Sequence, residues 1–197
     1  MEKIFLISIL LLTGCAHVYK SEFLKDYSTL TKGKYLEKVF ISPDLKPSEK
    51  MVIKIEKPDI TGAQANDSLP PDMARDALSH LLEQKLGRLY GIKIASASDT
   101  PTHVLETAIT DLEPGSRFLR WIIGWGLAGS SKVQVEGRIL DASGKPVVIF
   151  ADRRAGSAVG GYDLTGGDPR ALLENDMEGI AQALADTLQD EMVAIKG

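Results

Sequence analysis

The chain predicts an α/β domain built in two layers, a mixed sheet of about five strands with two helices on one face. Three observations point there: period-two alternation over residues 51–57 and 131–141, two stretches with apolar residues three and four apart, and the order of the elements along the chain. That order is strand, helix, strand, a three-strand meander with a long first connection, and a final helix. Helices that each carry one apolar stripe need a sheet to cover, and this arrangement supplies it.

The elements follow an unusual start. Lys3 precedes residues 4–12, which are apolar apart from Ser8. The run is too short for a membrane span, which needs about 20 apolar residues, and suits the core of a cleaved secretory signal. It ends in Leu12, Thr13, Gly14 and Cys15, the only cysteine in the chain. This stretch resembles the bacterial lipobox. The resemblance implies cleavage before Cys15, diacylglyceryl attachment to its sulfur and acylation of the new amino terminus, hence the palmitate and membrane anchorage of a lipoprotein. More than one acyl chain is what makes such attachment stable. The rival reading is a plain secreted protein with an incidental cysteine, but a lone cysteine builds no disulfide framework. Ala16 stands where an Asp would retain a lipoprotein at the inner membrane, so the resemblance implies the periplasmic face of the outer membrane. The expected organisation is a signal peptide over residues 1–14, a lipidated tether over 15–34 and one periplasmic domain over 35–197.

Composition is that of an ordinary globular protein, with a formal net charge of -4. The balance gives no basic footprint, and no nucleic-acid partner is expected. Within the tether, Phe23, Leu24 and Tyr27 make a cluster more apolar than a linker requires, which is expected to dock on the domain or on a partner. This motif, the segment 35–43 and the stretch 51–58 together resemble the start of an uncharacterised bacterial outer-membrane lipoprotein family, known only as a domain of unknown function. That resemblance implies no activity.

Met51, Ile53 and Ile55 alternate with Lys54 and Glu56 until Pro58 ends the first strand. Pro70 and Pro71 then suit a helix start, since proline in the first turn forfeits no needed donor. From Asp72 to Tyr90, Ala74, Ala77, Leu78, Leu81, Leu82 and Leu89 share one side and Gly91 closes the helix. Residues 92–97 form a short strand, expected to pair parallel with the first after a right-handed crossover. A turn at Asp99 and Pro101 leads into the strand 102–112, which Pro114 and Gly115 break.

Val133, Val135, Gly137 and Ile139 alternate with Lys132, Gln134, Glu136 and Arg138, which predicts one buried and one wet face. Asp141, Ala142, Ser143 and Gly144 make a hairpin turn into the strand 146–154, whose leading Pro146 suits a strand end. Asp168 and Pro169 cap the terminal helix, with Leu173, Met177, Ile180, Ala181, Leu184, Leu188 and Ile195 as its stripe. At the level of fold this order is similar to the curli-secretion lipoprotein, the TolB amino-terminal domain and the lipoprotein activators of penicillin-binding proteins. Fold alone assigns no function.

The connection 117–129 holds both tryptophans, Trp121 and Trp125, with Arg117, Phe118 and Arg120 beside them. An apolar connection of this kind is packed on the sheet, buried in a partner or laid on a membrane. Aromatic residues and Arg are enriched at interface hot spots, so these five residues are the candidate partner-binding set. Gly124, Gly126 and Gly129 match a dinucleotide fingerprint by letter only, because a strand follows where the fingerprint needs a helix. His17, His80 and His103 are scattered without ligand spacing, and no metal or cofactor is expected. No nucleophile elbow is present, and lipidation would consume the only thiol. The glycine-rich loop 160–168, with Asp163 and Asp168, is the place where a glycan-binding or cell-wall-modifying site would sit. Capping and solvation are the simpler account of those aspartates.

The expected function is therefore a non-enzymatic binding or scaffold module of the cell envelope. It would join the membrane through its lipid anchor, bind an envelope protein partner, and be capable of a ring or dimer of its own.

Overall fold

A computed structural model describes residues 17–45, 50–60, 69–113, 131–156 and 168–193. Among these residues six strands form one mixed sheet: β1 (Lys38–Ile41), β2 (Met51–Ile55), β3 (Ile92–Ile94), β4 (His103–Glu113), β5 (Ser131–Asp141) and β6 (Pro146–Gly156). The strand order is β1-β6-β5-β4-β2-β3. β2 lies parallel to both β3 and β4, whereas β4, β5 and β6 form the antiparallel meander and β1 adds antiparallel to β6. Six strands replace the expected five. The extra one, β1, is four residues long and owes its existence to β6, more than a hundred residues later, so local periodicity could not reveal it.

Helices α1 (Pro71–Leu86) and α2 (Pro169–Val193) pack on each other and cover one face of the sheet, α1 over β2 and β3, α2 over β5 and β6. α1 ends a turn before the expected Tyr90. Leu86 is its last buried residue, and the backbone N–H of Gly87 caps the Glu83 carbonyl. Gly91, with φ +87, instead makes the turn into β3, where an L side chain would be strained. The α2 stripe lies as expected, with Leu173, Met177, Ile180, Ala181, Leu184 and Leu188 buried. Ile195 falls outside the described residues. No helix among the described residues is long and apolar enough to cross a membrane.

The inner face of the sheet is the core. Ile53, Leu105, Ile109, Val133, Val135, Ile139, Val148 and Phe150 are buried against the helices. Gly137 sits opposite Phe150 and Thr107, and a Cβ there would lie 2.4 Å from the Phe150 ring. The glycine thus makes room for the aromatic ring, which is why a residue that weakens strands stands mid-strand. The turn Asp141–Gly144 closes as expected, with Gly144 at φ +82.

The opposite face corrects the expectation of a wet side. Gln134 and Glu136 are 1% and 0% exposed. Alternation reports which residues are polar, and polarity usually means exposure, but here residues 18–27 return across the sheet and cover it. The cluster of Phe23, Leu24 and Tyr27, expected on the domain or on a partner, therefore docks on the domain. The segment leaves the face through the antiparallel bridge Thr31↔Val39.

Candidate functional site

The outer face is organised around a carboxylate. Its place follows from the strand: inward Val135 and Gly137 force Glu136 outward, and the bulge between Ile109 and Asp111 turns Thr110 toward it. Thr110 Oγ1 and Gln134 Nε2 donate to Glu136 Oε1 at 2.9 and 2.7 Å. Ser21 Oγ and the Tyr27 hydroxyl donate to Oε2, each at 2.7 Å. Two donors on each oxygen use the acceptor capacity of a carboxylate, and all four are neutral. A buried charge costs free energy unless its hydrogen bonds are made, and here they are. Burial pushes the Tyr27 hydroxyl above its ordinary value, so it remains a donor.

Gln134 adds a second fastening. Its Oε1 accepts from Tyr19 N and its Nε2 donates to Tyr19 O, both at 2.8 Å, which is the two-way pattern of neighbouring strands made by one side chain. Arg153, whose side chain is 4% exposed, pairs with Asp111 at 2.8 Å while the Tyr19 ring stacks on its guanidinium at 4.4 Å. Arg138 pairs with Glu106 at 2.6 Å and lies 5.5 Å from the Phe23 ring. Val18 N donates to Glu37 Oε1 at 2.9 Å. The arrangement holds a peptide segment; none of its carboxylate oxygens on Glu136 is left to accept a proton from a substrate.

On the helix side, an open groove of about 550 Å³ runs between the 32–37 segment and Asp152, Arg153, Arg154, Ala155 and Asp176. Burial raises the Asp152 carboxyl above its ordinary value, opposed by the Arg154 guanidinium at 3.0 Å. Glu37 N donates to Asp152 Oδ1 and Ser131 Oγ donates to Asp176 Oδ2, at 3.0 and 2.9 Å. Of the charged residues that line the groove, Lys34, Glu37, Asp152, Arg153, Arg154 and Asp176 are thus engaged within the domain.

Of the sequence-predicted residues, Cys15, Arg117, Phe118, Arg120, Trp121 and Trp125 lie outside the described residues, as do Gly160 and Asp163. The structure does bring the attachment points of the 114–130 and 157–167 connections together. Glu113 pairs with Lys132 and Ser131 with Gly156, so β4, β5 and β6 end side by side where the 114–130 and 157–167 connections begin. Asp168 caps α2, its Oδ1 accepting from Arg170 N at 3.0 Å. The three histidines are far apart in role: His17 lies 3.5 Å from Glu37, His80 is exposed on α1, and His103 Nδ1 meets Thr102 Oγ1 on β4. No acidic, His or Cys cluster able to hold a metal occurs among the described residues. Sequence reasoning missed Glu136 and Gln134. The aromatic excess around Phe23 and Tyr27 was the signal that could have led to them.

Solved structures similar to this chain include XCC0632 from Xanthomonas campestris, labelled DUF330, at 11% identity, covering 79% of this chain and 94% of that one with a TM-score of 0.46. The PelC dodecamer from Paraburkholderia phytofirmans is similar at 18% identity, covering 72% and 95% with a TM-score of 0.42. No curated protein matches the sequence. The model of one family, the Domain of unknown function DUF4410, matches residues 40–160. The match takes in β2 to β6 with α1 between them, more than half of the chain, and the protein accordingly belongs to the DUF4410 family.

Proposed function

We propose that this protein is a lipid-anchored lipoprotein of the bacterial outer membrane, facing the periplasm and acting as a non-enzymatic binding or scaffold module. Cys15 carries the lipid. Arg117, Phe118, Arg120, Trp121 and Trp125 supply the contact with another envelope component. The observation that most supports this is the use made of the segment after Cys15: residues 18–27 are spent on sealing the sheet, and the buried carboxylate beneath them is saturated by their hydroxyls. Such a face serves attachment, not turnover. The rival site at 160–168 gains nothing from Asp168, whose Oδ1 is used in capping α2.

The test is crosslinking in cells from the 117–125 connection, followed by mass spectrometry. Replacing both Trp121 and Trp125 by Ala is expected to abolish at least nine-tenths of one specific crosslink while leaving the unfolding midpoint unchanged. An unaltered crosslink pattern would sink the assignment of those residues.

A further inference from the structure

The docked segment has a direction as well as a place. Tyr19 bonds to Gln134, Ser21 to Glu136, and Phe23 lies by Arg138. Each step of two along the segment is thus a step of two along β5, so the chain enters over the β5 start and runs toward the 141–146 hairpin. Val18, at the entry, is fixed to Glu37.

Magnitudes then decide where the anchor lies. Cys15 precedes Tyr19 by four residues, and four extended residues reach at most about 14 Å. From Gln134 back to Ser131 the strand rises about 10 Å, whereas from Gln134 on to Asp141 it rises about 23 Å. The sulfur of Cys15 can stand level with the Ser131 end and cannot reach the hairpin end.

We infer that residues 18–27 are an orienting strap, which holds the domain against the lipid headgroups with Glu113, Ser131 and Gly156 toward the bilayer and the 141–146 hairpin away from it. The inference rests on Cys15 being the anchor. β5 is 11 residues long, so the hairpin stands about 33 Å farther out than the strand's start. A segment of the same length left undocked would let the domain tumble; four hydrogen bonds and two ring contacts on the sheet remove that freedom. The hairpin end and the helices then face the periplasm, whereas the β4, β5 and β6 ends, and with them the start and finish of the 114–130 connection, stand beside the membrane, so the envelope component which that connection contacts is met at the membrane surface.

The experiment couples the processed chain, residues 15–197, through its sole thiol to maleimide lipid in vesicles of phosphatidylethanolamine and phosphatidylglycerol. A fluorescent amino acid is built in place of Glu113 or of Ala142, both exposed. Headgroup-level nitroxide lipid is then added as quencher. Quenching at position 113 is expected to exceed that at 142 at least threefold. Ten Gly/Ser residues inserted between Ala16 and His17 are expected to make the two equal, because such a linker spans roughly 18 Å as a coil and frees the domain to turn. Equal quenching without the insertion, stronger quenching at 142, or a difference that survives the insertion would each overturn the strap. Coupling in the test tube separates this from the anchor itself: finding Cys15 unacylated in cells would remove the lipoprotein reading and would not alter the quenching ratio.

Discussion

On the inner face of β5, Val133, Val135 and Ile139 are buried in the core beneath α2, whereas on the outer face Gln134 and Glu136 meet a stretch of chain without regular secondary structure. Both sets are buried. The inner residues are held by loss of apolar surface, about 1.5–3 kcal/mol for each fully buried aliphatic side chain, with no demand on direction. The outer residues are held by hydrogen bonds worth about 1 kcal/mol each when made, and more than that is forfeited when one partner is removed. The inner face therefore tolerates a change of shape poorly and a change of partner well; the outer face behaves the other way round. A strap that must sit in one register, and so aim the chain before it, needs the second kind of holding.

The largest effect that would break this contrast is at Glu136. Replacing it by Ala leaves the hydroxyls of Ser21, Tyr27 and Thr110 and the Gln134 amide without their acceptor. Glu136→Ala is expected to cost on the order of 3 kcal/mol. The loss should be read by urea denaturation, with amide exchange rising over residues 18–27 and not over α2. Glu136→Gln should cost roughly a third as much, since the hydroxyls facing its new NH₂ can rotate to accept. Equal losses for the two variants would mean that the charge, and not the hydrogen-bond pattern, holds the strap.

Next in size is Gly137, the inner-face counterpart. Gly137→Ala drives a methyl against the Phe150 ring, and overpacking of this kind costs about 2 kcal/mol. Phe150→Leu alone creates a void, and the double variant should be more stable than the sum of the single losses predicts. Additive losses would show that the ring and the glycine are not coupled.

These two positions also mark how far the sequence could be read. The inner face was legible, because alternation over 131–141 is local and Val133, Val135 and Ile139 carry it by themselves. Gly137 could have been read as a close approach, since a glycine inside a strand usually marks one. The stop of α1 at Leu86 was legible too, since Gly87 follows it and caps the Glu83 carbonyl. Two features were not legible as geometry: β1 is four residues and exists only through β6, and Glu136 reads as a wet residue until a segment 109 residues away in sequence is laid on it. Each is a contact between distant parts of the chain, which no window of local pattern contains. The stretch that resembles a lipobox and the two tryptophans stood out by their chemistry, and their residues lie outside those the structure describes.

The smallest effect tests the rule from the other side, with a polar group on the face that is held by apolar burial. Thr107 lies opposite Gly137 on the inner face, 2% exposed, and its Oγ1 has no hydrogen-bond partner among the described residues. A buried hydroxyl without a partner costs roughly 1–3 kcal/mol, of which its methyl group returns nothing. Thr107→Val keeps the branched shape and removes the hydroxyl, so it is expected to stabilise the domain by about 1 kcal/mol, seen as a higher urea midpoint with an unchanged slope. The same exchange at Thr110, whose hydroxyl donates to Glu136, should instead destabilise by about 1 kcal/mol. One substitution, made three residues apart on the same strand, is expected to change sign with the face it looks onto. The same sign at both positions would mean that the two faces are not held by different forces.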